Sequence, residues 1–310
     1  MEKEELVSVI MCFYNEPIRY VSKSVESVLA QTYKNLDIIF ILDNPQNKII
    51  YNFLKKIEQE NNNIVLVVNE SNLGLVKSLN KALQLTKGQY IARMDADDIC
   101  AINRIEEQMK YLHKNFLDLV GCNIVDIDEN DYPIKDTIYP ENNNDIKEYL
   151  KYASAIAHPT WLVKKNVYDK LEGYRDIEAC EDYDFLIRAA LNNIQMGVIQ
   201  KKLLMYRINT IGVSSTKKIQ QKSNYYYIRN LYRKKKLFSI DEYKFYISSN
   251  ECNKVTKRIK KFYALRKKYD LNKSCINAIK TILFSFSITL DNLYCMYRES
   301  QILKQNKGKN

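Results

Sequence analysis

The chain has 310 residues, 46% of them hydrophobic, enough for one large or two modest domains with real cores and too apolar for a disordered protein. Its seven cysteines are odd in number, scattered and free of any C-x-x-C pair, which argues against a disulfide framework and a structural zinc site and fits a reducing cytosol. The net charge of +11 divides unevenly: residues 201–310 hold 26 Lys and Arg against 6 Asp and Glu, and residues 1–200 hold 22 against 31, so an acidic body carries a basic tail.

The charged start, Met1-Glu2-Lys3-Glu4-Glu5, runs directly into a strand pattern, and no signal peptide is expected. Leu6 to Phe13 is a nearly continuous apolar run, which predicts a strand buried on both faces of a parallel sheet. It stops at Tyr14-Asn15-Glu16-Pro17, after which Ile18, Val21, Val25, Val28 and Leu29 recur at helical spacing. Leu36 to Leu42 predicts a second strand, ending in Asp43-Asn44-Pro45. Ile49 to Ile57 predicts a helix, Ile64 to Val68 a strand, Leu75 to Leu85 a helix and Tyr90 to Met94 a strand. Four strands alternating with three helices predict a parallel, doubly wound α/β sheet with right-handed crossovers, so residues 1–98 read as a nucleotide-binding half.

Directly after the fourth strand stand Asp95, Asp97 and Asp98. Oxygen-rich sites of this kind suit a hard divalent cation, Mg²⁺ or Mn²⁺, and such a cation usually holds a phosphate. The crevice beyond the carboxyl ends of the strands is where open α/β sheets bind ligands. A solvated acidic turn or a helix start is the plainer reading of the same residues.

Ile102, Ile105, Met109 and Leu112 mark a further amphipathic helix, and Leu119 to Ile127 a strand. Residues 128–136 and 140–145 read as loops, Ile146 to Tyr152 as a helix, Thr160 to Val163 as a strand, and Asn166 to Leu171 as a helix closed by Gly173. Glu178 to Asp184 puts a group of acids at the start of a helix whose apolar face includes Phe185, Leu186, Ala189 and Ala190. Leu203 to Tyr206 is the last expected strand, and from about Lys217 the chain reads as basic helices, with no internal repeat.

In order and at compatible spacing, the following segments resemble a bacterial family 2 glycosyltransferase of the GT-A fold and the polysaccharide-biosynthesis type. They are Val7 to Met11 with Tyr14-Asn15-Glu16; Ser27 to Thr32; Asn72 to Leu75 with Leu79-Asn80; Ala92 to Asp98 with Arg104 and Gln108; His158-Pro159-Thr160; and Glu181 to Asp184. The resemblance spans about residues 7–215. It implies a Rossmann-like, mostly parallel sheet flanked by helices in residues 1–216, with an acceptor-binding half at 99–216, and a basic, mostly helical region at 217–310.

It also implies a nucleoside diphosphate sugar donor, UDP-sugars being common, and a divalent metal on the diphosphate, Mn²⁺ or Mg²⁺. The physical chemistry agrees, since a Lewis acid that bridges the phosphates stabilises the charge developing on the leaving group. In the Asp-x-Asp pattern, the resemblance makes Asp97 the direct metal ligand, Asp95 a donor and metal contact, and Asp98 a contact behind them or to the sugar, unless Asp98 caps the following helix. Cys12, Tyr14, Glu16 and Asp43 fall where similar enzymes hold base and ribose, although Asp43 also suits a turn. Lys77 is the donor-side candidate of its segment, against the ordinary case of a solvated helix lysine.

An attacking acceptor hydroxyl must lose its proton, and the resemblance makes Asp182 the general base, with Glu181 and Asp184 as alternatives; a single base implies inversion at C1. Carboxylates capping a helix start explain all three equally simply. His158 resembles an active-site position or serves as a satisfied structural histidine. Similar enzymes often carry histidine where this chain has Asn209, which leaves Arg207 and the Ser214-Ser215 pair as substitutes.

In the tail, Tyr225 to Tyr227, Arg233 to Lys236 and Lys257 to Phe262 interleave basic and aromatic residues, but no nucleic-acid motif accompanies them and the acidic body would repel a polyanion. Ile276, Ile279, Leu283, Phe286, Leu290 and Leu293 form an apolar stripe, and the uncharged run Thr281 to Leu290 falls far short of the roughly 20 residues a membrane span needs. The stripe either lies in the interface of an anionic membrane, suiting a cytoplasmic enzyme at the inner face of the cell membrane with a saccharide or lipid-linked saccharide acceptor, or packs on the catalytic domain. The expected role is sugar transfer in capsule, exopolysaccharide or O-antigen synthesis. A sugar nucleotidyltransferase should carry a glycine-rich basic loop after its first strand, where this chain has Phe13 to Pro17, and a non-catalytic nucleotide-sugar or polysaccharide binding module would not need Asp95, Asp97 and Asp182.

Overall fold

The computed structural model describes residues 4–208 and 217–271. Strands β1 (Val7–Phe13), β2 (Leu36–Leu42), β3 (Ile64–Val68) and β4 (Tyr90–Asp95) alternate with helices α1 (Ile18–Leu29), α2 (Lys48–Glu60) and α3 (Leu75–Leu85). The four strands pair in parallel in the order β3-β2-β1-β4, as their apolar runs predict. Each helix buries the stripe set by its spacing: Val21, Val25 and Val28 in α1, Ile50 and Leu54 in α2, Leu79 and Ala82 in α3. Phe13 and Phe40, from adjacent strands, meet edge to face at 5.3 Å in the core.

Next come β5 (Ile99–Cys100), α4 (Arg104–Lys114), β6 (Leu119–Ile127), β7 (Pro133–Thr137), α5 (Asn143–Tyr149), a 3₁₀ turn (His158–Thr160), β8 (Leu162–Lys164), α6 (Lys165–Lys170), α7 (Glu181–Leu191) and β9 (Met196–Arg207). They extend the sheet to β3-β2-β1-β4-β8-β6-β9-β5, with β7 paired to β6. β8 runs antiparallel to both β4 and β6, so the sheet is mixed beyond its parallel half.

Sequence reading and structure part at five places in this second half, the first being α5, which starts three residues earlier than expected, inside a stretch read as loop, and ends at Tyr149. β7 forms within a stretch expected to be loop, because most of it is exposed on both faces and carries no alternation to read. β5 is two residues long, too short for any period. Residues 158–160 turn before β8 begins, and Pro159 explains why the chain does not enter a strand there. β9 is far longer than its apolar end suggests, because its middle, Gln200 to Lys202, is polar where the register with β6 shifts from Cys122–Ile199 to Asn123–Lys202.

The described chain forms two compact units. The first comprises residues 4–146, 155–176 and 192–208 and holds the whole sheet. The second comprises 147–154, 177–191 and 217–271, with α7 and the C-terminal helices α8 (Lys218–Arg233), α9 (Ile240–Ser248) and α10 (Asn250–Leu271). Inside it Tyr183 stacks on Tyr225 at 4.3 Å and Tyr227 on Tyr246 at 4.1 Å. These units do not follow the linear boundary expected at residue 216. The apolar stripe from Ile276 to Leu293 lies outside the described residues, as do Asn209, Ser214 and Ser215. Among the described residues no helix is long and apolar enough to cross a membrane.

Candidate active site

The strand order reverses direction between β1 and β4, which makes their carboxyl ends the switch point where an open sheet leaves a crevice. Cys12 and Asp95 are register partners there, and Asp43 follows β2 with its N–H donating to the Phe13 carbonyl at 2.8 Å. Cys12, Tyr14, Glu16, Asp43, Asp95, Asp97 and Asp98 thus belong to the ends of three adjacent strands of the first unit.

Their electrostatics are those of crowded like charges. Asp95 pairs with Arg93, two residues back on the same face of β4. Burial works against the Arg93 charge, but Asp95, with Tyr174 and Cys12 adding to it, more than offsets burial, so the guanidinium is held above its ordinary value and stays protonated. Asp97 is pushed up to about 7 by burial and then by the charges of Asp95 and Glu16, with Arg207 opposing. Glu16 is raised, by burial first and also by Asp95, although its Oε2 accepts the Tyr14 N–H at 2.8 Å. Asp98, only 1% exposed, is raised well above the carboxylate range by burial, Asp95 and Asp97. Its Oδ1 accepts the Arg207 N–H at 2.7 Å, and its Oδ2 has no partner among the described residues. The residue before α4 is Asn103, so Asp98 does not cap that helix.

A divalent cation would relieve this repulsion, and the donor set fits one. Among the described residues no three His, Cys, Asp or Glu side chains form a closed metal cage. Asp97 and Asp95 would supply one or two carboxylate oxygens and leave the remaining positions to water and phosphate, the usual arrangement for Mg²⁺.

Of the residues expected to meet a nucleoside, Tyr14 is 42% exposed and offers a ring face. Burial, with Arg93 opposing, pushes the Cys12 thiol up to about 12, so it stays neutral. Asp43 is buried and already occupied: its Oδ1 accepts from Asn69 Nδ2 at 2.7 Å and Leu73 N at 2.8 Å, and its Oδ2 from Gly74 N at 2.8 Å. It holds the loop that delivers Gly74, at φ 85°, to the start of α3. Lys77 is exposed one turn into that helix. Lys81, a turn further on, donates to Asn69 Oδ1 at 2.9 Å.

His158 is buried, bonded through Nε2 to the Tyr174 hydroxyl at 2.8 Å, with its ring 4.5 Å from that of Trp161. Burial first, then the Arg93 charge, holds it neutral. Arg104 Nη1 donates to the carbonyls of Arg93, at 3.1 Å, and Pro159, at 2.6 Å, and Gln108 Nε2 to that of Thr160 at 2.7 Å, so α4 fastens the His-Pro-Thr turn beside β4. Arg207 lies at the end of β9 with its side chain 1% exposed and its guanidinium spent on protein partners.

Glu181, Asp182 and Asp184 occupy the first turn of α7 in the second unit. Asp184 is fully buried and accepts from Arg188 Nε at 2.8 Å, one turn along. Glu181 is buried, and Asp182 is the one of the three that is half-exposed. Burial, then Asp182, raises both the Cys180 thiol and the Tyr225 hydroxyl. Sequence reasoning did not single out Arg93, Asn69 or Arg188. Arg93 had a readable signal, a cation inside an apolar strand with an acid two residues on.

A family model described as "Glycosyl transferase family 2" matches residues 8–172. An uncharacterized glycosyltransferase of Methanocaldococcus jannaschii is 38% identical over 77% of this chain and 83% of its own length. The O-antigen biosynthesis glycosyltransferase WbnJ of Escherichia coli is 36% identical over 66% of this chain and 80% of its own. The mannosyltransferase PcManGT of Pyrobaculum calidifontis, solved in complex with GDP-Man and Mn²⁺, superposes with a TM-score of 0.60 at 13% identity, over 94% of this chain and 88% of that one. That likeness shows the fold, the GT-A type expected from the sequence.

A histidine held neutral gives stability a defined pH dependence. The unfolded chain takes up a proton on His158 below about pH 6.5 and the folded chain does not, so stability is full above that pH and falls as pH drops, by at most about 1.4 kcal/mol per unit for one proton. Urea unfolding of the wild type and His158→Gln at about pH 7.5 and about pH 5.5 checks this. The wild type should lose more stability on acidification, and equal losses would show that His158 is not held neutral.

Proposed function

The chain belongs to glycosyl transferase family 2, and from that membership we propose that it transfers a hexosyl or N-acetylhexosaminyl group from a nucleoside diphosphate sugar, UDP-linked in the first instance, with inversion at C1. The acceptor is a saccharide or lipid-linked saccharide, and the product belongs to a capsule, exopolysaccharide or O-antigen. The observation that carries this reading is the burial of Asp97 beside Asp95 and Glu16 at the switch point, where burial first and then the two neighbouring charges raise it to about 7. Such repulsion is costly unless a cation uses it. The similarity to an O-antigen biosynthesis enzyme supports the pathway.

Bound Mn²⁺ or Mg²⁺ would supply charge neutralisation on the leaving diphosphate. Asp97 and Asp95 would hold it, and Arg93, two residues back on β4, pairs with Asp95. Tyr14 packs its exposed ring on the base, and the neutral Cys12 thiol adds no charge beside it. Asp43 acts on the nucleotide through the loop it fastens. Asp182 takes the proton of the acceptor hydroxyl; Asp184 is committed to Arg188 and Glu181 is buried, which favours Asp182 among the three. The described residues 217–271 hold 17 Lys and Arg against 4 Asp and Glu, which supports peripheral contact with an anionic membrane surface.

Calorimetric titration with UDP, GDP, CMP and dTDP, with and without Mn²⁺, should find one nucleotide whose binding requires metal and is lost in Asp97→Ala. Absence of binding by every nucleotide, from folded protein, would sink the reading. Asp182→Asn should keep nucleotide affinity and unfolding midpoint while losing roughly 10²–10⁴-fold in transfer to lipid-linked saccharides. Asp184→Asn should lose about 3 kcal/mol of stability, because it removes the buried carboxylate charge that pairs with Arg188; the reverse pattern would reassign the base. In liposome flotation the full chain should rise with anionic vesicles and not with neutral ones. Replacing the exposed Lys234, Lys235 and Lys236 by Glu should weaken that binding, and unchanged flotation would place the contact elsewhere.

A further inference from the structure

Arg207 makes more contacts to the carboxylate loop than any ligand role would need. Its main-chain N–H donates to Asp98 Oδ1 at 2.7 Å, and its Nε donates to the Asp97 carbonyl at 2.8 Å. One residue therefore grips two consecutive residues of the loop, once through its backbone and once through its side chain. The two remaining nitrogens point away from the loop: Nη1 donates to the Asp128 carbonyl at 2.8 Å and Nη2 to Asp131 Oδ1 at 2.5 Å. Both acceptors lie in the turn between β6 and β7.

That turn is itself fastened. Asp128 Oδ1 accepts the N–H groups of Asn130 at 2.8 Å and Tyr132 at 2.9 Å, and Asp131 sits in the left-handed region at φ 71°. Lys23 of α1 pairs with Asp131, and the Tyr20 hydroxyl donates to the Glu129 carbonyl at 3.1 Å. The Arg207 guanidinium lies over the Tyr20 ring at 4.0 Å, so its face is covered as well as its edges. A planar fork held by the β6–β7 turn at its edge and by Tyr20 of α1 on its face has one geometry, and the Asp97 carbonyl it reaches takes that geometry from it.

We propose that Arg207 is a positioning residue of the donor site: anchored by Asp131 and Tyr20, it fixes the Asp97–Asp98 link, and with it the direction in which the Asp97 carboxylate meets a metal-bound diphosphate. This rests on the donor reading above and assigns Arg207 no contact with substrate. It replaces the expectation that Arg207 substitutes for an absent metal- or diphosphate-binding histidine, since every guanidinium nitrogen already donates to a protein oxygen and the side chain is 1% exposed under the Tyr20 ring. Asp131, remote from the carboxylates in sequence, becomes part of the same device.

Arg207→Lys keeps the charge and the main-chain N–H to Asp98, but a single ammonium cannot span Asp97, Asp128 and Asp131. Asp131→Asn leaves Arg207 in place and weakens its anchor. Hydrogen exchange followed by mass spectrometry and Mn²⁺-dependent UDP titration would be run on both variants and the wild type, with folding checked by circular dichroism. In Arg207→Lys, exchange at residues 96–98 should rise about tenfold while β1 and β2 stay protected, and metal-dependent nucleotide affinity should fall about tenfold, with Asp131→Asn shifted the same way to a smaller extent. Wild-type exchange at 96–98 in both variants, or faster exchange spread over the whole sheet with unchanged nucleotide affinity, would overturn the proposal. A wild type that binds no nucleotide would defeat the donor reading instead, and the exchange pattern alone would then decide whether Arg207 orders the loop.

Discussion

Repulsion among Asp95, Asp97, Asp98 and Glu16 is the constraint on which the rest of the first unit depends. Crowding acids at the end of a buried strand opposes folding, and the chain answers with two buried arginines that act differently. Arg93 approaches from within β4 and pairs with Asp95. Arg207 approaches from the end of β9 and takes main-chain and side-chain oxygens of Asp97 and Asp98. Neither offsets the burial of Asp97 together with its acidic neighbours, and its carboxyl stays raised to about 7. The remaining imbalance is what a divalent cation would meet, and a fold without that need would carry no reason to keep it.

The surrounding architecture can be read as support for those two arginines. Arg104 and Gln108 fasten the His-Pro-Thr turn to α4 and to the Arg93 carbonyl, and the neutral His158 packs against Trp161 and Tyr174, within reach of the Arg93 charge, without adding a second cation. Ser24 Oγ of α1 donates to the Asp95 carbonyl at 2.7 Å, so the helix that anchors Arg207 through Tyr20 also touches the other end of the carboxylate segment. Several positions that carry the family resemblance, among them Arg104 and Gln108, thus hold the strand end through protein contacts.

The parallel half was legible because burial on both faces writes itself as continuous apolar runs, and β1 through β4 fall where those runs are. The acids at the end of β4 were legible because three carboxylates directly follow such a run and so mark both where the strand stops and where its end meets solvent. What escaped reading was set by partners distant in sequence. β7 carries almost no buried face, and β9 has a bulged polar middle, so neither shows a period. Asp43 reads as a base contact from its place after β2, but three donors from residues 69–74 occupy it, and nothing local announces them. Arg207 presents the same difficulty: its type suggested a ligand, and its role is decided by Asp128 and Asp131, about eighty residues away.

The composition turns basic from about residue 217, and packing within the second unit crosses that point. α7 bears Asp182, yet its packing partners within the second unit come from beyond that boundary: Tyr183 stacks on Tyr225, Asn224 Nδ2 donates to the Glu178 carbonyl at 2.7 Å just before the helix, and the Cys180 thiol lies 3.5 Å from the Gln221 carbonyl. Ala179, at φ 56°, adds a strained residue to the same turn, a conformation that persists only where surrounding contacts enforce it. Removing the basic helices would therefore expose the face of α7 and release the turn that sets its first residues. The C-terminal region is part of the support of the proposed general base, whatever surface its lysines meet, and a chain cut at residue 216 would lose that support together with the basic charge.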